Sequence, residues 1–249
     1  MGHDFYGQKT SAISRLQECE KENFQRRVEK RQHTKMMKFY RFQDPRNFYY
    51  ARAFGGRTLD SEIGEPCPEC GVSRVKYKPP FILEWETGSE VVGDFTFPGY
   101  GRSIIITDRV RISFEPQFQG FEINPIIFWQ NPKLRKPTRI TKRTRPRIWL
   151  PYSGPTLWEL WITKWCRLDL EKSGVALDKI CSTCGREIYI HQTSTNPQWV
   201  LDTRKWAGED LFHLFEMRRW FFCSEKVKLF IEQSGFNNVK FDEYGTIPE

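Results

Sequence analysis

This chain has none of the short sequences that mark the common catalytic folds. There is no Walker loop, no G-x-G-x-x-G turn, no G-x-S-x-G elbow and no H-E-x-x-H helix. Histidine, the usual proton shuttle near neutral pH, occurs only as His3, His33, His191 and His213, scattered along the chain. No run approaches the about eighteen apolar residues of a membrane-spanning helix. The N-terminal stretch MGHDFYGQKTSAISRLQECEKENFQRRVEKRQHTK lacks the apolar segment of a secretory signal. The expectation is a cytoplasmic protein that is not an enzyme and makes no use of a membrane.

An even cysteine count is also missing. The seven are Cys19, Cys67, Cys70, Cys166, Cys181, Cys184 and Cys223. An odd number without a secretory signal argues against a disulfide framework and in favour of metal ligation or thiol chemistry. Acidic residues are absent from 131–147, NPKLRKPTRITKRTRPR, which holds Lys133, Arg135, Lys136, Arg139, Lys142, Arg143, Arg145 and Arg147. Taking these eight from the 39 Lys and Arg leaves 31, equal to the 31 Asp and Glu. The whole net charge of +8 therefore sits in one Pro-broken stretch. Such a run is most simply a solvated loop, and it also suits an acidic protein surface or the phosphates of a nucleic acid, with Trp149 and Tyr152 nearby to stack on bases.

What the sequence does have is CPECG at 67–71 and CSTCG at 181–185. Two thiolates three residues apart on a tight turn reach one ion, and the glycine after them permits a left-handed backbone. Each turn is half of a four-ligand site, so folding is expected to join Cys67, Cys70, Cys181 and Cys184 around one structural Zn2+. Four thiolates close a tetrahedron and leave no position for a reacting water. A thioredoxin-like pair would open a helix after a strand, and neither turn does. Pro66-Cys67-Pro68-Glu69-Cys70 matches half of a zinc deaminase motif, but His33-Thr34-Lys35 puts lysine where the catalytic glutamate belongs. Pairing of each turn with one from another chain stays open.

The turns lie 114 residues apart, and other segments echo each other at nearly the same offset. Trp85 meets Trp199, Thr87 lies near Thr203, and GDF (93–95) falls opposite GEDLF (208–212). Thr107-Asp108-Arg109-Val110-Arg111 matches Ser224-Glu225-Lys226-Val227-Lys228. The expected fold is α+β, with two pseudo-repeated halves (37–150 and 151–249). Each carries a zinc knuckle, strands and a short helix, and one shared zinc site joins them. Residues 1–36 form a charged extension, either an added helix or residues upstream of an original start at Met36 or Met37.

Particular elements follow from pattern. MKFYRF (37–42) and NFYYARAF (47–54) read as strands joined by a turn at Asp44-Pro45. TLWELWITKWCRL (156–168) reads as a helix, with Thr156 and Glu159 as a capping box and Leu157, Leu160, Trp161, Trp165 and Leu168 on one face. LFHLFEMRRW (211–220) looks helical and holds a packed or surface His213. A helix capped by the Ser224 side chain, with Val227, Phe230 and Ile231 on one face and a stop at Gly235, precedes a strand at VKF (239–241).

MKFYRF, EPCPECG, an aromatic middle containing Asp, CSTCG, WVLD, GEDLF and the closing SEKVKLFIEQSGFNNVKF together resemble the bacterial double-CXXCG motif family, from about Met37 to the C-terminus. That family includes SitI-type toxin-immunity proteins. The resemblance implies a protein that binds and neutralises a cognate toxin without catalysis, and it carries over Cys67, Cys70, Cys181 and Cys184 as metal ligands. The positive charge implies a toxin that is acidic or neutral where it docks. The competing reading is a zinc-ribbon nucleic-acid binder using 131–147.

Overall fold

A computed structural model describes residues 36–47, 49–58, 62–76, 80–86, 91–98, 103–128, 152–191 and 198–248. The elements lie in the compact unit Met37–Ile247. The basic stretch 131–147 and residues 1–35 lie outside the described residues.

The first part of the chain forms β1 (Met37–Gln43), β2 (Arg52–Thr58), β3 (Glu62–Pro66), β4 (Ser73–Lys76), β5 (Phe81–Glu86) and β6 (Phe95–Thr96). It continues through β7 (Ser103–Thr107), α1 (Asp108–Phe114) and β8 (Phe121–Phe128). The second part forms β9 (Leu157–Ile162), β10 (Trp165–Cys166), β11 (Val175–Ile180), β12 (Glu187–His191) and β13 (Trp199–Val200). A 3-10 turn (Thr203–Lys205), β14 (Leu211–Leu214), β15 (Phe221–Ser224), α2 (Glu225–Gln233) and β16 (Lys240–Ile247) complete it. The fold is α+β and mostly sheet.

Two six-stranded sheets run in the orders β2-β5-β8-β9-β7-β6 and β13-β16-β1-β15-β14-β10. In the first, β9 lies between β7 and β8, the strands that flank α1. In the second, β1 lies between β15 and β16, the strands that flank α2. Parallel pairs β5–β8 and β13–β16 flank these trios on one side, and antiparallel pairs β6–β7 and β14–β15 on the other.

Side chains alternate between sheet faces as strand geometry requires. Ile104, Ile106, Leu160 and Ile162 enter one core, which also holds Phe42, Leu211 and Cys223 from the second sheet and Phe114, Val227 and Ile231 from the helices. Ile105 and Leu157 point to the other face, with Phe81, Leu83 and Trp85. Phe39, Phe212, Leu214, Phe222 and Trp199 form a third cluster on the second sheet. Phe114 is fully buried, with the rings of Phe95, Phe118 and Phe230 within 6.1 Å of its own. Burying one such ring stabilises by about 2–3 kcal/mol.

Two aspartates tie the strand–helix–strand units together. Asp94 accepts from the Thr107 hydroxyl at 3.1 Å and from Arg109, and crosses to the Asn237 N–H at 3.0 Å. Asp210 accepts from the Ser224 hydroxyl at 3.2 Å and crosses to the Gln119 N–H at 3.1 Å, with Lys226 at 3.9 Å. The guanidinium of Arg109 lies over the Phe236 ring at 4.7 Å, and the ammonium of Lys226 over Phe118 at 5.0 Å.

Several expectations change. TLWELWITKWCRL is no helix: Leu157–Ile162 is a strand paired on both edges, and Glu159, the supposed capping partner, is buried beside the Ser103 hydroxyl. Its apolar residues fit either periodicity, and two waiting strand edges decide the outcome. LFHLFEMRRW gives the strand Leu211–Leu214 and a turn. β1 and β2 lie in different sheets and form no hairpin, and the second strand begins at Arg52. Helix α2 forms as expected, but the Ser224 hydroxyl makes no cap bond and is used on Asp210. Gly235, at φ 63°, ends the helix.

A candidate metal centre

Each C-x-x-C sequence forms the turn of a two-stranded antiparallel hairpin, β3–β4 for the first and β11–β12 for the second. The Gly71 N–H donates to the Cys67 carbonyl at 2.7 Å, and the Gly185 N–H to the Cys181 carbonyl at 2.9 Å. The Cys67 N–H reaches the Val72 carbonyl at 3.2 Å, and the Cys181 N–H the Arg186 carbonyl at 2.9 Å. Gly71 and Gly185 have φ of 68° and 69°. A Cβ at either position meets nothing within 4 Å, so the left-handed torsion, not crowding, is what calls for glycine.

The hairpins bring four sulfurs together. Cys67 Sγ lies 3.6 Å from Cys181 Sγ, and Cys70 Sγ lies 3.5 Å from Cys184 Sγ. All four ligand atoms fall within 4.8 Å of one another, and the cluster could hold a metal ion. A tetrahedron with metal–sulfur bonds near 2.3 Å needs sulfurs roughly 3.8 Å apart, so the spacing fits. Cys67 and Cys181 are buried, while Cys70 and Cys184 are partly exposed. The Cys70 N–H draws the Cys67 thiol down to about 7, whereas burial pushes Cys181 up to about 12. A cation at the centre would deprotonate all four, since coordination outweighs such differences.

Glu69, between the first pair of cysteines, latches onto the second turn. Its Oε2 accepts from the Ser182 hydroxyl at 2.8 Å and from the Thr183 N–H at 3.2 Å, and lies 3.2 Å from Cys181 Sγ. These donors, Ser182 first, hold its carboxyl down at about 2. Glu69→Ala should therefore speed metal release to a chelator by about tenfold or less while leaving the fold intact, because the latch is exposed and the sulfurs remain. An unchanged release rate, followed with a colorimetric chelator, would deny the latch any role.

The other candidates fall away from this cluster. Cys166 and Cys223 are buried thiols raised by burial. His213 is packed, its ring stacked on Trp165 and its Nδ1 3.0 Å from the Trp220 carbonyl. Lys133, Arg135, Lys136, Arg139, Lys142, Arg143, Arg145 and Arg147 lie outside the described residues, as do Cys19, His3 and His33. Pattern reading missed the two crossing aspartates, though GDF and GEDLF had marked both positions. It also missed a cleft of about 450 Å3 beside Cys70, which carries no motif. No helix among the described residues is long and apolar enough to cross a membrane. The chain matches no protein-family model and no curated protein.

Proposed function

We propose that this protein is an immunity protein of the double-CXXCG type, which binds and neutralises a cognate bacterial toxin in the cytoplasm and performs no catalysis. The observation that carries the reading is the four-sulfur cluster, half of it from each C-x-x-C-G turn, together with the run of segments that resembles the family. Zinc is the ion the thiolates would favour, one per chain, with Cys67, Cys70, Cys181 and Cys184 as its ligands. In this reading its role is structural, because four protein ligands complete the tetrahedron.

The same reading takes the two sheets as duplicated halves that exchange their first strands. In support, β5, β8, β9, β7 and β6 follow one another in one sheet as β13, β16, β1, β15 and β14 do in the other. Asp94 and Asp210 make the same set of contacts in each. The metal then joins the halves a second time, at the hairpins.

Co-expression with the product of the neighbouring upstream gene tests the function. Survival of a susceptible host and a co-eluting complex are expected, and salt should weaken the complex because an acidic or neutral toxin surface is implied. No rescue and no complex would overturn immunity. Salt-dependent retention on nucleic acid, lost in Lys142→Glu with Arg143→Glu, would instead establish the binder reading that the basic stretch favours.

A further inference from the structure

Beside the metal centre, a cleft of about 450 Å3 separates β12 from the turn Phe215–Trp220 and reaches Cys70 and Val72. Three features make it more than a crevice. First, β12 pairs with β11 alone among the described residues, so its other edge has no strand partner there. Second, Arg186, Arg218 and Arg219 line the cleft, and no carboxylate among the described residues forms an ion pair with any of them. Arg186 and Arg218 are partly buried, and Arg218 Nε donates to the Phe215 carbonyl at 3.2 Å, so the charge of Arg218 is held at the cleft without a carboxylate among the described residues to neutralise it. Third, Glu216 lines the same cleft while only 7% exposed. Its Oε2 accepts the Leu168 N–H at 3.3 Å, but its buried Oε1 has no hydrogen-bond partner.

We infer that this cleft is a docking groove for an extended acidic segment of a partner protein, which adds as a strand to the free edge of β12. Carboxylates of the segment meet Arg186, Arg218 and Arg219, and its main chain pairs with the edge of β12. Main-chain bonding to a sheet edge supplies affinity, and the charged rim supplies selectivity. Val72 and Met217 give the segment's apolar side chains a wall.

The chemistry favours a peptide over a nucleic acid. The Trp220 ring is covered by Arg41 at 4.0 Å and the Phe215 ring by Arg167 at 4.5 Å, which leaves them poor platforms for a base. A peptide brings main-chain donors and acceptors for the edge of β12, whereas a phosphodiester backbone brings no N–H donors.

The identity of the partner as a toxin rests on the immunity reading, but the groove can be tested apart from it. The probe is a short fluorescein-labelled peptide of alternating glutamate and valine, titrated against the full chain by anisotropy. Binding in the about millimolar range or tighter is expected, with slowed amide exchange along β12. R186E/R218E/R219E should weaken it at least about tenfold, and R218A/R219A should do so less, with zinc content and circular dichroism unchanged in both. No binding by the folded wild type, or equal binding by the folded triple variant, would overturn the groove. So would an oligonucleotide that binds in the peptide's place and is lost in the triple variant. In the toxin assay, rescue by wild type and triple variant alike would also overturn the groove but keep immunity. Absence of any rescue would remove immunity, and the peptide titration would still decide the groove.

Discussion

Cys181→Ser is expected to lose the metal and most of the cooperative fold. Cys181 is 1% exposed and its sulfur faces that of Cys67 at 3.6 Å, so a serine hydroxyl would neither reach an ordinary metal–sulfur bond length nor offer a thiolate. The closed loop from Cys67 to Cys181 spans 114 residues. A covalent cross-link over such a loop removes about 4–5 kcal/mol of freedom from the unfolded chain, and a metal staple acts on the same ensemble. That is a large part of the about 5–15 kcal/mol by which a domain is stable. Cys67→Ser should behave alike, while Cys70→Ser and Cys184→Ser, at partly exposed positions, should lose affinity with less unfolding. Zinc per chain by elemental analysis and a thermal melt provide the check. A Cys181→Ser protein that melts like wild type with a full complement of zinc would refute the shared site.

Asp94→Ala and Asp210→Ala are expected to cost about 2–4 kcal/mol each, more for Asp94. Asp94 is 6% exposed, and its removal strands the Thr107 hydroxyl and the Asn237 amide. Its ion pair with Arg109 adds less than the 2.6 Å contact suggests, because the arginine side chain is 56% exposed. Asp210 has the weaker cation, Lys226 at 3.9 Å, which is the reason for the ranking. Each carboxylate binds a backbone amide contributed by the other strand–helix–strand unit, so the two substitutions should couple in a double-mutant cycle. Urea unfolding reads the loss. Midpoints within error of wild type for both single variants would show that the crossing bonds are idle.

The sequence made the metal cluster legible because its information is local. C-x-x-C-G encodes a turn, a torsion and two thiols within five residues, and a shared ion would give two such turns a reason to meet. Helix α2 was legible for the same reason, with 3.6-residue spacing and Gly235 as its stop. The strand Leu157–Ile162 was not, because LWELWI places apolar groups compatibly with both periods. Only β7 and β8, already in place, turn that ambiguity into a strand. The Ser224 cap failed on a similar competition: the hydroxyl had a distant carboxylate to choose over its own helix. The cleft beside Cys70 was invisible because its parts come from β12, the turn after β14 and the first hairpin, and share no spacing.

The place of β1 between β15 and β16 has a consequence for how the protein is made. β1 is synthesised long before the two strands that flank it, Phe221–Ser224 and Lys240–Ile247. MKFYRF thus stays without its strand partners until those residues are made, and a ribosome that stops before residue 221 releases a product with no place for it. Pairing of β1 must wait for those two strands, a long-range closure that slows folding. A copy cut short before residue 221 would not be a working fraction of the whole. It would instead expose apolar strand edges, and the cell would see it as a substrate for chaperones and proteases.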